Sequence, residues 1–252
     1  MKRLENKVVI VTGAARGLGK AYALRLAAEG AKAVVADILD GGEVMQAIKR
    51  MGGDAIAVKT DVTSEESTRE MAARTIESFG RIDVLVNNAA MFATIVKRPF
   101  WQIPADEWDA LMAVNLKGPF LCAKAVYPQM KKQGKGKIIN VSSSTFFKGV
   151  PYFLHYVTSK GGIIAMTRSM AREVGDAGIT VNAIAPGYTH TDYLMGNPQD
   201  PPEVTKAIIA SQCIKRPSTT DDMAGTIVFL ASDDSDFISG QTIAVDGGSV
   251  LH

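Results

Sequence analysis

Tyr156 and Lys160 stand four residues apart. On a helix that spacing puts both side chains on one face. The spacing alone is a weak signal, because Tyr127 and Lys131 repeat it. That second pair reads as surface, with Pro128 behind the tyrosine and Lys131 opening a basic run. Tyr156 differs in its company. Ser143 lies just past the strand-like run KIINVS, and Asn115 sits in the long helical stretch before it. A free phenol titrates near 10, too high for a good base near neutrality. An ammonium held beside it, together with the positive charge of an oxidised hydride acceptor, favours the phenolate and lowers that value. Tyr156 then becomes a candidate general base toward a hydroxyl, and a general acid in reverse. Ser143 can hydrogen-bond the same oxygen, and Asn115 can fix a water that carries the proton outward. The set suits loss of a proton and a hydride from an alcohol, provided something accepts the hydride.

The acceptor has its own signature. The run Thr12-Gly13-Ala14-Ala15-Arg16-Gly17-Leu18-Gly19 follows the apolar strand-like KVVIVT and opens a helical segment. Glycines there allow a sharp turn and close approach of a pyrophosphate to the backbone, at the positive end of the helix. Lys20 follows Gly19, but Ala14 and Ala21 stand where an ATP-type phosphate loop needs Gly and Ser/Thr. Asp37 closes the second strand-like run. A carboxylate there accepts hydrogen bonds from ribose hydroxyls and repels a 2′-phosphate, which predicts NAD rather than NADP. Arg16 is the counter-signal, since its cation could reach such a phosphate. Ile38, Asp61, Val62, Asn88 and Ala89 also fall at strand ends, where ligands of an open α/β sheet lie.

Elements must position these groups. Short apolar runs at Lys7–Thr12, Lys32–Asp37, Ala55–Thr60, Ile82–Asn87, Lys137–Ser142, Ile179–Ile184 and Thr242–Val245 alternate with segments of helical period. The helical segments are Gly17–Glu29, Glu43–Met51, Ser67–Phe79 behind an N-cap at Ser64, 104–132, 155–174 and 219–231. Strands that are apolar throughout need cover on both faces. The pattern predicts one α/β domain over 1–252, a seven-stranded parallel sheet with helices on both faces. Residues 190–218, with Pro198, Pro201, Pro202 and Pro217, read as an irregular substrate lid.

Composition narrows the classes. With 46% hydrophobic and 21% charged residues, wholesale disorder is excluded. A net charge of +2 argues against nucleic acid as partner. Cys122 and Cys213 make no disulfide framework, and the scattered His155, His190 and His252 offer no metal site. No apolar run approaches the roughly 18 residues of a membrane span, and no leader-like segment opens the chain. The expectation is a cytoplasmic protein with a small-molecule substrate.

Taken together, the glycine loop, Asn87-Asn88-Ala89, Asn115, Ser143, Tyr156-x3-Lys160 and Pro186-Gly187 resemble the short-chain dehydrogenase/reductase family, in its single-domain branch. The resemblance runs to the tail Ser239-Gly240-Gln241-Thr242…Asp246-Gly247-Gly248. It implies a Rossmann sheet, a nicotinamide cofactor and a homotetramer. It also implies that Lys160 holds the nicotinamide ribose, and that Pro186, Gly187, Thr189 and Thr191 flank the nicotinamide. One departure is Ala90, where the family usually has Gly. Substrate candidates are Thr145, Phe153, Tyr188 and Met195, with Phe92, Phe147, His155 and Tyr193 nearby. They are apolar or aromatic, with no Arg/Lys clamp for an anion in view. Ser144-Thr145-Phe146-Phe147 and the C-terminal ending are similar to family members acting on 1-phenylethanol-type alcohols or on pyridoxal. The expected reaction is the NAD-linked interconversion of an apolar, aryl or cyclic secondary alcohol and its ketone. The alternatives are a carrier-bound 3-oxoacyl substrate and a non-catalytic dinucleotide sensor.

Overall fold

The computed structural model describes residues 2–189, 191 and 202–251. Seven strands form one parallel sheet: β1 Val8–Thr12, β2 Lys32–Asp37, β3 Ala55–Lys59, β4 Val84–Asn87, β5 Gly136–Val141, β6 Ile179–Pro186 and β7 Thr242–Val245. Their order is β3-β2-β1-β4-β5-β6-β7. The strand order reverses between β1 and β4, and a crevice opens there at the carboxyl ends.

Alternation along each strand builds two cores. Val9 and Val11 of β1 pack on one face with Tyr22 and Leu26 of α1 (Gly17–Ala28), Ile48 of α2 (Gly42–Arg50) and Ile227 of α9 (Thr220–Ala231). Ile10 points the other way. It packs with Met71 of α3 (Glu65–Phe79), Cys122 and Val126 of α5 (Gly118–Gln133), and Met170 of α7 (Leu154–Val174). Burial on both faces explains why these strands read as continuous apolar runs.

The expected helix over 104–132 is broken. It runs as α4 (Ala105–Met112), a π-helical turn at Ala113–Lys117, and α5. Two short helices escaped the periodicity: α6 at Thr145–Lys148 and α8 at Pro202–Ser211. The second corrects the irregular lid. Pro202 opens α8, a first-turn position where the missing N–H is harmless.

A buried polar chain ties the centre of the sheet. Asn87 Nδ2 donates to Asn140 Oδ1 at 2.9 Å, and Asn140 Nδ2 to Thr167 Oγ1 at 2.9 Å. Orphaning one such buried group costs about 1–3 kcal/mol. Asn87 is therefore structural, and the next residue faces the crevice.

Candidate active site

The glycine loop is locked to β4. Thr12 Oγ1 accepts from Asn88 N–H (3.0 Å) and Ala89 N–H (3.1 Å). The Asn88 amide returns bonds to the carbonyls of Thr12 (3.0 Å) and Gly13 (3.1 Å). Behind this loop α1 starts with no side-chain cap and no acid in its first turn. By contrast α3 is capped by Ser64 and begins with Glu65 and Glu66. An uncapped N-terminus at a crevice suits an external anion.

A cavity of about 470 Å³ fills that crevice. Gly13, Arg16, Gly17, Leu18, Gly19, Asp37, Ile38, Asp61, Val62, Asn88 and Ala89 all line it. The Asp37 carboxylate accepts from the N–H groups of Ala15 (2.8 Å) and Leu39 (2.9 Å), so it also anchors the loop.

A second cavity of about 370 Å³ adjoins the first through the shared residues Leu18, Asn88, Ala90, Phe92 and Thr191. Ser143, Tyr156, Lys160, Pro186, Gly187 and Thr189 line it. Ser143 lies just beyond β5, and α7 carries Tyr156 and Lys160 on one face, as their spacing requires. Lys160 Nζ donates to the Val141 carbonyl at 2.8 Å and sits 5.6 Å from the centre of the Tyr156 ring. The ring packs against Phe92 and Phe153 with centroids 5.1 and 6.1 Å away.

Burial dominates the electrostatics of this pair. Burial pushes the Tyr156 phenol up to about 12, with the Ser143 hydroxyl beside it pulling it back down. Burial also pushes the Lys160 ammonium down to about 8. Burial outweighs the Ser143 hydrogen bond at the phenol, and a positively charged nicotinamide, as expected above, would favour the phenolate.

This gives a stability test. Between pH 8 and 10.5 an unfolded lysine binds a proton that folded Lys160 has lost, so stability gains with rising pH from this group. Lys160→Met removes that gain. Its stability relative to wild type should fall by about 2 kcal/mol between pH 7.5 and pH 10. Urea unfolding at the two pH values measures it, and a constant difference refutes the buried amine.

Asn115 stands in the π turn, a backbone irregularity common at functional sites. Its Oδ1 accepts from Met91 N–H (2.7 Å), and its Nδ2 donates to the Met91 carbonyl (3.1 Å) and toward Ser159 Oγ (3.4 Å). Both amide hydrogens meet protein acceptors, so the side chain clamps the loop after β4.

Of the substrate candidates, Thr145, Phe153, Tyr188 and Phe92 line the second cavity, while Met195 and Tyr193 lie outside the described residues. Phe147 does not line it. His155 is buried behind it, 3.0 Å from the Glu107 carboxylate. Sequence reasoning missed Val150, and Val204 and Ile208 of α8, although the last two have helical i,i+4 spacing. It also missed Lys97 and Lys148, both of which line the cavity.

A family model described as enoyl-(acyl carrier protein) reductase matches residues 13–250. The chain belongs to the short-chain dehydrogenase/reductase family. A relative named 3-oxoacyl-[acyl-carrier-protein] reductase FabG, from Staphylococcus epidermidis, is 39% identical over 98% of this chain and 100% of its own length. The (2S)-[(R)-hydroxy(phenyl)methyl]succinyl-CoA dehydrogenase subunit BbsD of Thauera aromatica is 37% identical over 98% of each chain. A Beutenbergia cavernae protein, provisionally named an NAD(P)-dependent gluconate 5-dehydrogenase and solved with NADP at low occupancy, superposes with TM-score 0.90. It is 34% identical, covering 98% of this chain and 97% of that one. The protein is an oxidoreductase of this family, acting between CH–OH and C=O groups. No helix among the described residues is long and apolar enough to cross a membrane.

Proposed function

We propose that this oxidoreductase interconverts an apolar, aryl or cyclic secondary alcohol and its ketone. The observation that carries the reading is one cavity holding Ser143, Tyr156 and Lys160 against an aromatic wall, opening onto the glycine-loop crevice. A nicotinamide bound there would supply or accept the hydride. Tyr156 then exchanges the proton at the substrate oxygen, Ser143 hydrogen-bonds that oxygen, and Lys160 holds the ribose and stabilises the phenolate. The walls from Phe92, Phe153 and Tyr188 favour an aryl body, in keeping with the hydroxy(phenyl)methyl group in the name of the Thauera relative. Assay of the purified protein with NADH against aryl, cyclic and aliphatic ketones tests this; absence of turnover with every aryl and cyclic ketone rejects it. The second reading is a carrier-bound 3-oxoacyl substrate, favoured by the name of the Staphylococcus relative.

For the cofactor we infer NAD over NADP. Asp37 is only 8% exposed, so its charge at the crevice is poorly screened and opposes a 2′-phosphate. Arg16 lines the same crevice and opposes that preference, and the Beutenbergia neighbour holds NADP. The expected result is a higher kcat/KM with NADH than with NADPH. Asp37→Ser should move the ratio toward NADPH by about tenfold or more, the weight of one lost charge repulsion. A wild-type preference for NADPH overturns the inference.

A further inference from the structure

We propose that Thr145 is a positioning residue for the reaction: its N–H and its hydroxyl both donate to Ser143 Oγ, which leaves Ser143 only a proton to offer the substrate oxygen. The proposal deepens the reading above and rests on it for the role of Ser143.

A serine hydroxyl has one proton and two lone pairs, and its rotor turns freely unless partners fix it. The backbone on either side of Ser143 is pinned. Ser142 Oγ donates to the Lys160 carbonyl at 2.8 Å, and Ser144 N–H donates to the Pro186 carbonyl at 3.0 Å. Ser143 itself is only 7% exposed and lines the cavity that holds Tyr156, so little water competes for its hydroxyl. What remains to be set is the direction of its O–H bond. The Thr145 N–H, which can only donate, reaches Ser143 Oγ at 3.2 Å, a local turn that serine side chains favour. Thr145 Oγ1 donates to the same atom at 3.0 Å. Both lone pairs are then taken. Thr145 comes into reach because α6 opens directly after the strand end, with Phe146 N–H bonded back to the Ser143 carbonyl at 3.3 Å.

The consequence is chemical. Ser143 cannot accept the substrate proton. In alcohol oxidation that proton goes to Tyr156 while the hydride goes to the nicotinamide, and in ketone reduction both return. Ser143 keeps its own proton in either direction. A hydroxyl turned this way in advance stabilises negative charge on the substrate oxygen without reorienting in the reacting state. The Tyr156 phenol feels the same donor: the Ser143 hydroxyl pulls it down, the sign of a bond given to the phenolate.

The test uses the full-length protein with its nicotinamide cofactor. The probes are acetophenone and ethyl acetoacetate, minimal ketones for the two readings above. Val keeps the shape and methyl of Thr and drops the hydroxyl; Ser does the reverse. Thr145→Val should lower kcat about tenfold with the cofactor KM within about twofold, and Thr145→Ser should recover kcat to within about threefold of wild type. Equal losses in the two variants, or a slower Thr145→Ser, overturn the proposal, because packing or wall contact predicts those results. In a Ser143→Ala background Thr145→Val should lower kcat by less than about twofold, and a full tenfold loss there also overturns it. Ser143→Ala as fast as wild type rejects the role of Ser143 in the reading above and the proposal with it. A slow Ser143→Ala beside a fast Thr145→Val rejects the proposal alone. Neutron diffraction from the deuterated protein reads the assignment without turnover, and so decides the matter even where neither ketone reacts. The deuteron between the two hydroxyls should sit on Thr145 Oγ1; found on Ser143 Oγ, it overturns the proposal.

Discussion

Tyr156→Phe should lower kcat by about a thousandfold or more, the range for loss of a positioned acid/base. Dinucleotide affinity should stay within about threefold, because the variant removes only an interaction of the reacting state. Phe keeps the ring that packs on Phe92 and Phe153, and the glycine loop lies in the adjoining cavity. Steady-state kinetics and a fluorescence titration of the cofactor separate the two effects. A variant within tenfold of wild-type kcat would sink the assignment. The pH profile adds a sign. With the phenol pushed up to about 12 in the unliganded protein, alcohol oxidation at neutral pH requires the bound cofactor's charge and Lys160⁺ to bring it down. The oxidation rate should therefore rise with pH along a limb well below 12, and that limb should vanish in Tyr156→Phe.

The order of elements was legible because the sheet is buried on both faces, so each strand is an unbroken apolar run between polar turns. The glycine loop was legible because its backbone demands are local. Tyr156 and Lys160 could be paired because helical spacing is a local rule. What the sequence hid depends on tertiary placement. Lys97 and Lys148 are far apart along the chain and meet at one cavity only because the loop after β4 and helix α6 converge there. The π turn at Asn115 leaves no compositional trace. The prolines at 201 and 202 suggested a break, although one of them starts a helix. The burial that raises the Tyr156 phenol in the chain alone was not legible, since a lysine nearby in sequence says nothing about how much water both groups lose.

The two later loop glycines should fail in different ways when replaced by alanine. At Gly19 an added Cβ would lie 2.1 Å from the Gly13 carbonyl oxygen and 2.5 Å from Asn88 Nδ2. Neither can yield, because that carbonyl is one of the two that hold the Asn88 amide. Gly19→Ala should destabilise the fold by about 3 kcal/mol, the upper end of overpacking. Gly17 has φ +57° and nothing within 4 Å of a built Cβ. Gly17→Ala should cost only the left-handed strain, about 1–2 kcal/mol. Its methyl, however, has open space around it at a residue that lines the crevice. If a pyrophosphate occupies that space, dinucleotide affinity drops about a hundredfold in a protein that still unfolds cooperatively, since close backbone approach is lost. Thermal unfolding and cofactor titration of both variants distinguish the cases. Unchanged cofactor binding in Gly17→Ala would mean that the loop merely turns the chain, and the dinucleotide must then lie elsewhere.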